Sequence, residues 1–267
     1  MALHAWSWPT VSPRGGVALV HGAGEYCGRY EHVAKHLNEG GYAVLGLDLP
    51  GMGLSPGRRG HVDRFDLYLP VVDEMLQRLA DLCPGVPRFI YGHSMGGLIA
   101  VRWMQSGRAA AAGLGGVVLT SPCLDLSLPI PQSLLRAGAA LEKVWPTMLQ
   151  STRIPADAVS RHPDVVARYA SDPLVLHRVT VRWAMELQRG MQAAREGGAS
   201  FPVPTLVLQA GDDRIVSAAA TRTFASRLQA PAKTYREFEG LYHELHNEPE
   251  RAEVLAAVTS FLDAAIA

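Results

Sequence analysis

The chain has 267 residues, 48% of them hydrophobic and 19% charged, and its 25 basic residues balance 25 acidic residues. These values are typical of a globular chain long enough for one α/β domain with an insertion. Because the net charge is zero and no long run of like charge occurs, we expect no nucleic-acid partner. The three cysteines have no metal-ligand spacing, which argues against a disulfide framework or a zinc site.

The amino-terminal residues lack the features of a targeting segment. Residues 1–13 contain no basic stretch followed by an apolar core and a small-residue cleavage site. No apolar run in the chain approaches the roughly 18 residues that a membrane-spanning helix needs. We therefore expect a cytoplasmic protein.

Strands and helices alternate in the first half of the chain. Short apolar runs predict buried strands at 16–21, 42–47, 87–91 and 116–120. Helices are predicted between them at about 29–38, 65–82 and from 98 onward, and an Ala/Gly-rich surface connection at 108–116. Such alternation predicts a mostly parallel sheet with helices on both faces.

The alternation stops after residue 124. From 125 to about 198 no strand pattern stands out, and apolar helical pieces are interrupted by four prolines. The pattern then resumes with a strand at 204–210, a helix at 217–228, a strand at 233–238 and a helix at 247–265. The sequence therefore predicts an α/β core from residues 1–124 and 199–267, and a helical cap insertion from residues 125–198.

A glycine-rich turn joins one predicted strand to the following helix. Residues 92–96 read Gly-His-Ser-Met-Gly, directly after an apolar strand. Two glycines around Ser94 allow a strand to reverse sharply into a helix and leave the serine in an exposed bend. The pattern predicts a nucleophile elbow; the alternative is a structural turn serine.

A serine hydroxyl needs a general base and a carboxylate that orients the base. Two later loops offer them, with Asp212 or Asp213 after one strand and His243 or His246 after the next. Loops at the carboxyl ends of parallel strands gather at one edge of the sheet. The sequence from 247 to 250 predicts a helix cap, which would disfavour positive charge on His246 and favours His243 as the base. Spacing alone does not separate the two aspartates.

Short motifs in several loops carry a family resemblance. They are Gly-His-Ser-Met-Gly-Gly at 92–97, His-Gly-Ala-Gly-Glu at 21–25, Gly-Arg-Tyr at 28–30, Arg-Gly-His-Val at 59–62, Ser-Pro at 121–122 and Asp-Arg at 213–214. Together these motifs resemble the monoacylglycerol lipase and lysophospholipase-like branch of the α/β-hydrolases, over nearly the whole chain. The resemblance implies the α/β-hydrolase fold with a helical cap over an apolar acyl pocket.

The resemblance also implies an activity and the residues that perform it. It implies a serine esterase with Ser94, Asp213 and His243 as its triad and no cofactor or metal. The oxyanion hole would come from the backbone N–H groups of Ala23 and Met95; the elbow itself also points to the Met95 N–H. The expected reaction is hydrolysis of medium- to long-chain monoacylglycerols to fatty acid and glycerol through an acyl-enzyme. The alternatives are a broad carboxylesterase or lysophospholipase and, outside enzymes, a catalytically silent ligand-binding protein.

The substrate contacts are less specific than the triad. Glu25 and Arg29 could touch a polar head group, form a supporting ion pair, or lie on a solvated surface. In the cap, Leu128, Ile130 and Trp145 could line an acyl pocket or pack inside the cap. We expect a small lipid ester as the partner, with at most transient membrane or micelle contact through the cap.

Two positions depart from the family pattern, and a separate basic loop could contact substrate. Met52 stands in a loop where many relatives have histidine, and Cys27 stands where serine is common. These departures leave the predicted triad unchanged. Arg58, Arg59 and His61 could bind a phosphate, which would suit a lysophospholipid, or form an exposed loop.

Overall fold

The computed structural model describes residues 2–108, 113–152 and 154–267. Within these ranges the strands are β1 (Ala5–Trp8), β2 (Gly15–Val20), β3 (Tyr42–Leu47), β4 (Arg88–His93), β5 (Leu114–Thr120), β6 (Leu149–Ser151), β7 (Arg178–Thr180), β8 (Thr205–Ala210) and β9 (Lys233–Phe238). The α-helices are α1 (Glu31–Glu39), α2 (Leu69–Leu82), α3 (Met95–Gln105), α4 (Gln132–Val144), α5 (Pro163–Ser171), α6 (Val181–Glu196), α7 (Ala218–Arg227) and α8 (Arg251–Ile266).

Seven strands form one sheet in the order β1-β3-β2-β4-β5-β8-β9. All neighbouring pairs are parallel except β1 and β3. The predicted mostly parallel α/β architecture is confirmed. Strand β1 was not predicted, because it has only four residues and half of them face solvent at the edge of the sheet.

Helices cover both faces of the sheet and bury its central strands. Every residue of β2, β3 and β8 is buried, which explains why these strands appear in the sequence as continuous apolar runs. One core cluster joins the sheet to α2, α3, α6 and α7, and the other joins it to α1 and α8. The carboxyl ends of the strands stay free to carry loops, and this edge is where the candidate site lies.

The segment between β5 and β8 contains α4, β6, α5, β7 and α6. Its backbone reaches the loops at the strand ends, since Leu176 N–H donates to the Gly24 carbonyl at 2.7 Å and Glu244 N–H donates to the Val159 carbonyl at 2.8 Å. The expectation of no strand in this segment was wrong, because β6 and β7 pair antiparallel. Each has only three residues, too few to show an alternating pattern. The division into a core and a cap stays a prediction.

Three helices begin two or more residues later than predicted. 3-10 turns at Cys27–Tyr30 and Phe65–Tyr68 precede α1 and α2, and α8 begins at Arg251. The predicted cap at 247–250 was wrong, because the Asn247 side chain donates to Glu244 Oε2 at 2.7 Å and Glu250 makes no side-chain capping bond. Part of the predicted connection at 108–116 lies outside the described residues. None of the helices within the described ranges is long and apolar enough to cross a membrane.

Candidate active site

Ser94 lies in the sharp turn between β4 and α3. Its φ of 53° and ψ of −117° are unusual for a residue with a side chain, and such backbone strain is typical of a nucleophile elbow. Close packing around the turn requires glycine, since a Cβ on Gly92 would lie 2.6 Å from the Gly96 carbonyl oxygen. Ser94 N–H donates to the Thr120 carbonyl at 3.0 Å, which fixes the turn against β5.

A histidine and an aspartate from two other strand ends complete a line with Ser94. Ser94 Oγ lies 2.9 Å from His243 Nε2, and His243 Nδ1 lies 2.8 Å from Asp213 Oδ2. Since a carboxylate only accepts, Nδ1 carries the proton and donates to Asp213, and Nε2 accepts from the serine hydroxyl. This is the geometry of a serine nucleophile, a general base and an orienting acid.

The environment sets the protonation of this line. Burial disfavours the charge on His243, but Asp213, Glu244 and Glu25 outweigh burial and raise the His243 pKa above 6.5. Burial likewise opposes the Asp213 carboxylate, yet His243 and the N–H groups of Val216 and Ile215 lower the Asp213 pKa. Asp213 is therefore ionised, and His243 is set to gain a proton when the serine loses one.

The structure separates the paired candidates that the sequence left open. Asp212 is exposed, whereas the Asp213 side chain is buried against His243. His246 is fully buried, stacks on Tyr30 at 4.6 Å and lies edge-on to His93 at 4.8 Å. Burial, first of all, and neighbouring positive groups lower the His246 pKa well below its ordinary value. His246 therefore remains neutral, and the imidazole that contacts Ser94 Oγ is that of His243.

The expected oxyanion donors lie on two sides of Ser94. Met95 is the first residue of α3, where a helix leaves its N–H groups without intrahelical partners and favours negative charge. Ala23 lines the cavity beside Ser94, and its loop is fixed because Gly22 N–H donates to Glu25 Oε1 at 2.6 Å. The arrangement can hold a developing oxyanion between two backbone N–H groups.

Glu25 and Arg29 are largely buried, unlike a pair on a solvated surface. Glu25 lines the cavity, but its carboxylate accepts from Gly22, Tyr30 and Arg29. Arg29 is largely buried and donates to Glu25 and, through both terminal nitrogens, to Glu244 at 2.8 Å each. The solvated-surface reading of this pair was wrong, and Arg29 does not line the cavity beside Ser94.

The apolar residues expected at the acyl pocket do not line the cavity beside Ser94. Leu128 and Trp145 are 79% and 59% exposed, and neither they nor Ile130 line the cavity beside Ser94. Their part in an acyl pocket stays a prediction, because this cavity is too small to hold an acyl chain. This cavity has a volume of only about 20 Å³ and is lined by Gly22, Ala23, Glu25, His93, Ser94, Ile154, Val159, Tyr169, Ile215, His243 and Glu244.

Two polar residues that lie beside Ser94, His243 and Asp213 were not identified from the sequence. Gln209, fully buried in β8, donates through Nε2 to Asp213 Oδ2 at 3.3 Å. Glu244, which follows His243, is 3% exposed and pairs with Arg29. The only sequence signals were their proximity to Asp213 and His243, because their partners are set by the tertiary fold.

A second cluster near the site has metal-ligand residue types. Atoms of His21, Cys27 and Asp48 lie within 4.8 Å of one another. His21 Nε2 already accepts from Leu49 N–H, and both Asp48 oxygens accept hydrogen bonds. Burial raises the pKa of the Cys27 thiol well above its usual value, so the thiolate that a metal needs is disfavoured. These atoms hold the loops after β2 and β3 together.

Known proteins resemble this chain over nearly its whole length. The family model described as "Serine aminopeptidase, S33" matches residues 11–250. The phospholipase YtpA of Bacillus subtilis is 36% identical over 97% of this chain and 98% of its own length. The monoacylglycerol lipase of Mycolicibacterium smegmatis is 33% identical over 95% of this chain and 90% of its own.

A solved structure agrees with these relatives. The crystal structure of Paleococcus ferrophilus monoacylglycerol lipase superposes with a TM-score of 0.89 at 32% identity, covering 99% of this chain and all of that one. The motifs, the fold and the line from Ser94 to Asp213 fit the same group of enzymes. The chain therefore belongs to the serine aminopeptidase S33 family of α/β-hydrolases, in the branch that includes the monoacylglycerol lipases.

Proposed function

We propose that this protein is a serine hydrolase that cleaves medium- to long-chain monoacylglycerols to fatty acid and glycerol. The observation that carries the proposal is the continuous line from Ser94 Oγ through His243 to Asp213, with contacts of 2.9 and 2.8 Å. The named activity of two similar proteins, the lipases of Mycolicibacterium smegmatis and Paleococcus ferrophilus, supports the substrate class.

The proposed mechanism follows from the protonation of the line. Ser94 Oγ attacks the ester carbonyl as His243 Nε2 takes its proton, and Asp213 stabilises the imidazolium. The N–H groups of Ala23 and Met95 hold the oxyanion. His243 then protonates the leaving glycerol oxygen, and a water activated by His243 releases the fatty acid from Ser94.

Residues 125–198 act in this proposal as a cap that must shift to admit substrate. The cavity of about 20 Å³ beside Ser94 has room for about one water molecule and not for an acyl chain. Residues of the insertion, Ile154, Val159 and Tyr169, form one wall of it. A covered site favours an ester with one chain over a triglyceride, so emulsified triglycerides should be poor substrates.

A lysophospholipase is the second candidate, because the Bacillus subtilis relative is named a phospholipase. The basic loop does not favour it. Arg59 donates to the Gly53 carbonyl at 2.7 Å, and His61 bonds to Thr180 Oγ1 at 2.8 Å, so both are engaged in holding the loop. These contacts and the absence of Arg59 and His61 from the lining of the cavity beside Ser94 give a phosphate head group no specific support.

Labelling and a substrate panel test the proposal. A fluorophosphonate probe should label the parent protein and not Ser94→Ala, and Ser94→Ala should lose hydrolysis of a short aryl ester. Absence of labelling in the parent would favour a catalytically silent ligand-binding protein. Among substrates, turnover should be fastest with monoacylglycerols; faster turnover of lysophospholipids or simple esters would replace the proposed substrate. Cell fractionation should recover the protein with the cytoplasm.

A further inference from the structure

Three charged side chains form a buried cluster beside His243. The carboxylate–arginine cluster consists of Glu25, Arg29 and Glu244. Both terminal nitrogens of Arg29 donate to Glu244, at 2.8 Å each, and one of them also donates to Glu25. Each of the three side chains is at most 10% exposed. Planar, paired contacts of this kind fix orientation as well as charge.

The carboxylate–arginine cluster joins two loops of the site that are far apart in sequence. On one side, Glu25 accepts from Gly22 N–H at 2.6 Å, directly before Ala23. On the other side, Glu244 follows His243 and accepts from Asn247 Nδ2 at 2.7 Å. Arg29 therefore connects the loop expected to hold the oxyanion to the loop that holds the base.

The charges of the carboxylate–arginine cluster do not cancel. Two carboxylates face one guanidinium, which leaves one net negative charge at a buried position. A buried charge is costly unless a partner of opposite sign lies near it. His243 becomes that partner during the reaction, when it takes the proton of Ser94.

The carboxylate–arginine cluster acts in addition to Asp213, and the histidines near His243 do not cancel its negative charge. Asp213 bonds to Nδ1, and His93 packs against the ring with the centroids 4.8 Å apart. Burial, together with His243, lowers the His93 pKa to about 3, and burial also keeps His246 neutral. Neither histidine therefore supplies or cancels charge near neutral pH.

We propose that Glu244 and Arg29 are positioning residues for the reaction: they hold the His243 loop against the Ala23 loop, and the net negative charge of the carboxylate–arginine cluster stabilises the imidazolium on His243. This inference rests on the proposed function for its reaction, and it assigns to Arg29 a role other than head-group binding. A head-group contact would act only on glycerol esters, whereas positioning acts on every ester.

Glu244→Gln tests the charge because it keeps the shape of the side chain. We expect the His243 pKa, measured by NMR titration of isotope-labelled histidine, to fall by about one unit. The acid limb of kcat/KM for a short aryl ester should move to lower pH with it, and kcat should fall about tenfold with KM unchanged. A folded Glu244→Gln protein with the parental His243 pKa would overturn the electrostatic role.

The matched control is Glu248→Gln, on the same loop. Glu248 is also buried and also pairs with an arginine, Arg161, but it is not among the main charges that raise the His243 pKa. Its substitution should lower thermal stability without moving the His243 titration. If Glu248→Gln shifted that titration as far as Glu244→Gln, a general loosening of the loop would explain both, and the proposal would fail.

Glu244→Asp separates position from charge and keeps the test decisive if Glu244→Gln does not fold. It preserves the carboxylate but shortens its reach to Arg29, so kcat should fall on aryl ester and monoacylglycerol alike while the His243 pKa stays parental. Parental kcat, or loss confined to the monoacylglycerol, would overturn the positioning role. If the parent hydrolyses no monoacylglycerol, the proposed substrate fails, while the NMR titration still decides the role of Glu244.

Discussion

Gly96→Ala should disrupt the active site, because Gly96 packs tightly against the backbone at the end of β2. A Cβ on Gly96 would lie 2.6 Å from the carbonyl carbon of Val20 and 2.7 Å from the His21 oxygen, and closer still to the Val20 oxygen. Ordinary van der Waals contact begins at 3.4 Å, so the end of β2 must retreat by more than 0.8 Å. Val20 leads directly into the loop that carries Ala23. Overpacking of this kind costs about 1–3 kcal/mol, and a misplacement of about 1 Å at a site can cost about 100-fold in rate.

The assay measures both consequences in one protein. Urea unfolding gives the loss of stability, and hydrolysis of a short aryl ester gives kcat, which we expect to fall far more than the fraction folded. Gly198→Ala is the matched control, because a Cβ there meets no heavy atom within 4 Å. A folded Gly96→Ala protein with parental kcat would refute the inference that close approach of α3 to β2 holds the oxyanion loop.

Three further outcomes follow from the site and its support. Because the His243 pKa is raised and the base must be neutral, kcat/KM should fall as pH drops through a limb that lies above 6.5, and a limb below 6.5 would contradict the arrangement. Asp213→Asn should lower kcat by about 10⁴-fold at constant fold, measured with the same ester, since the imidazole loses its orienting acceptor. Trp103→Ala, in the buried face of α3, should cost about 3–5 kcal/mol in urea unfolding, and a loss below 1 kcal/mol would contradict its place in the core.

The sheet was predictable wherever a strand is buried on both faces. Strands β2, β3 and β8 are apolar throughout, so their type and place follow from the sequence alone. Strand β1 and the short pair β6 and β7 were not predictable, because three or four residues are too few to carry a distinct period. Their pairing depends on neighbours that only the folded chain brings near.

The site was predictable where its chemistry is local. The glycines around Ser94 indicate the turn, and the strained φ of that serine agrees with it. Asp213 could not be separated from Asp212 by spacing, since the distinction comes from the N–H groups of Ile215 and Val216, which hold one carboxylate toward His243. These contacts belong to the folded loop.

The loop after His243 shows how the same residue can be favoured for different physical reasons. The sequence favoured His243 because a helix was expected to begin near His246, and α8 instead begins at Arg251. In the structure His246 is unsuited because it is buried against Tyr30 and His93, with its pKa held well below the ordinary value. Desolvation of the whole ring therefore acts in place of the expected helix dipole, which would act only within the first turn. Burial therefore leaves His243, with Asp213 on one ring nitrogen and Ser94 on the other, as the histidine able to move a proton.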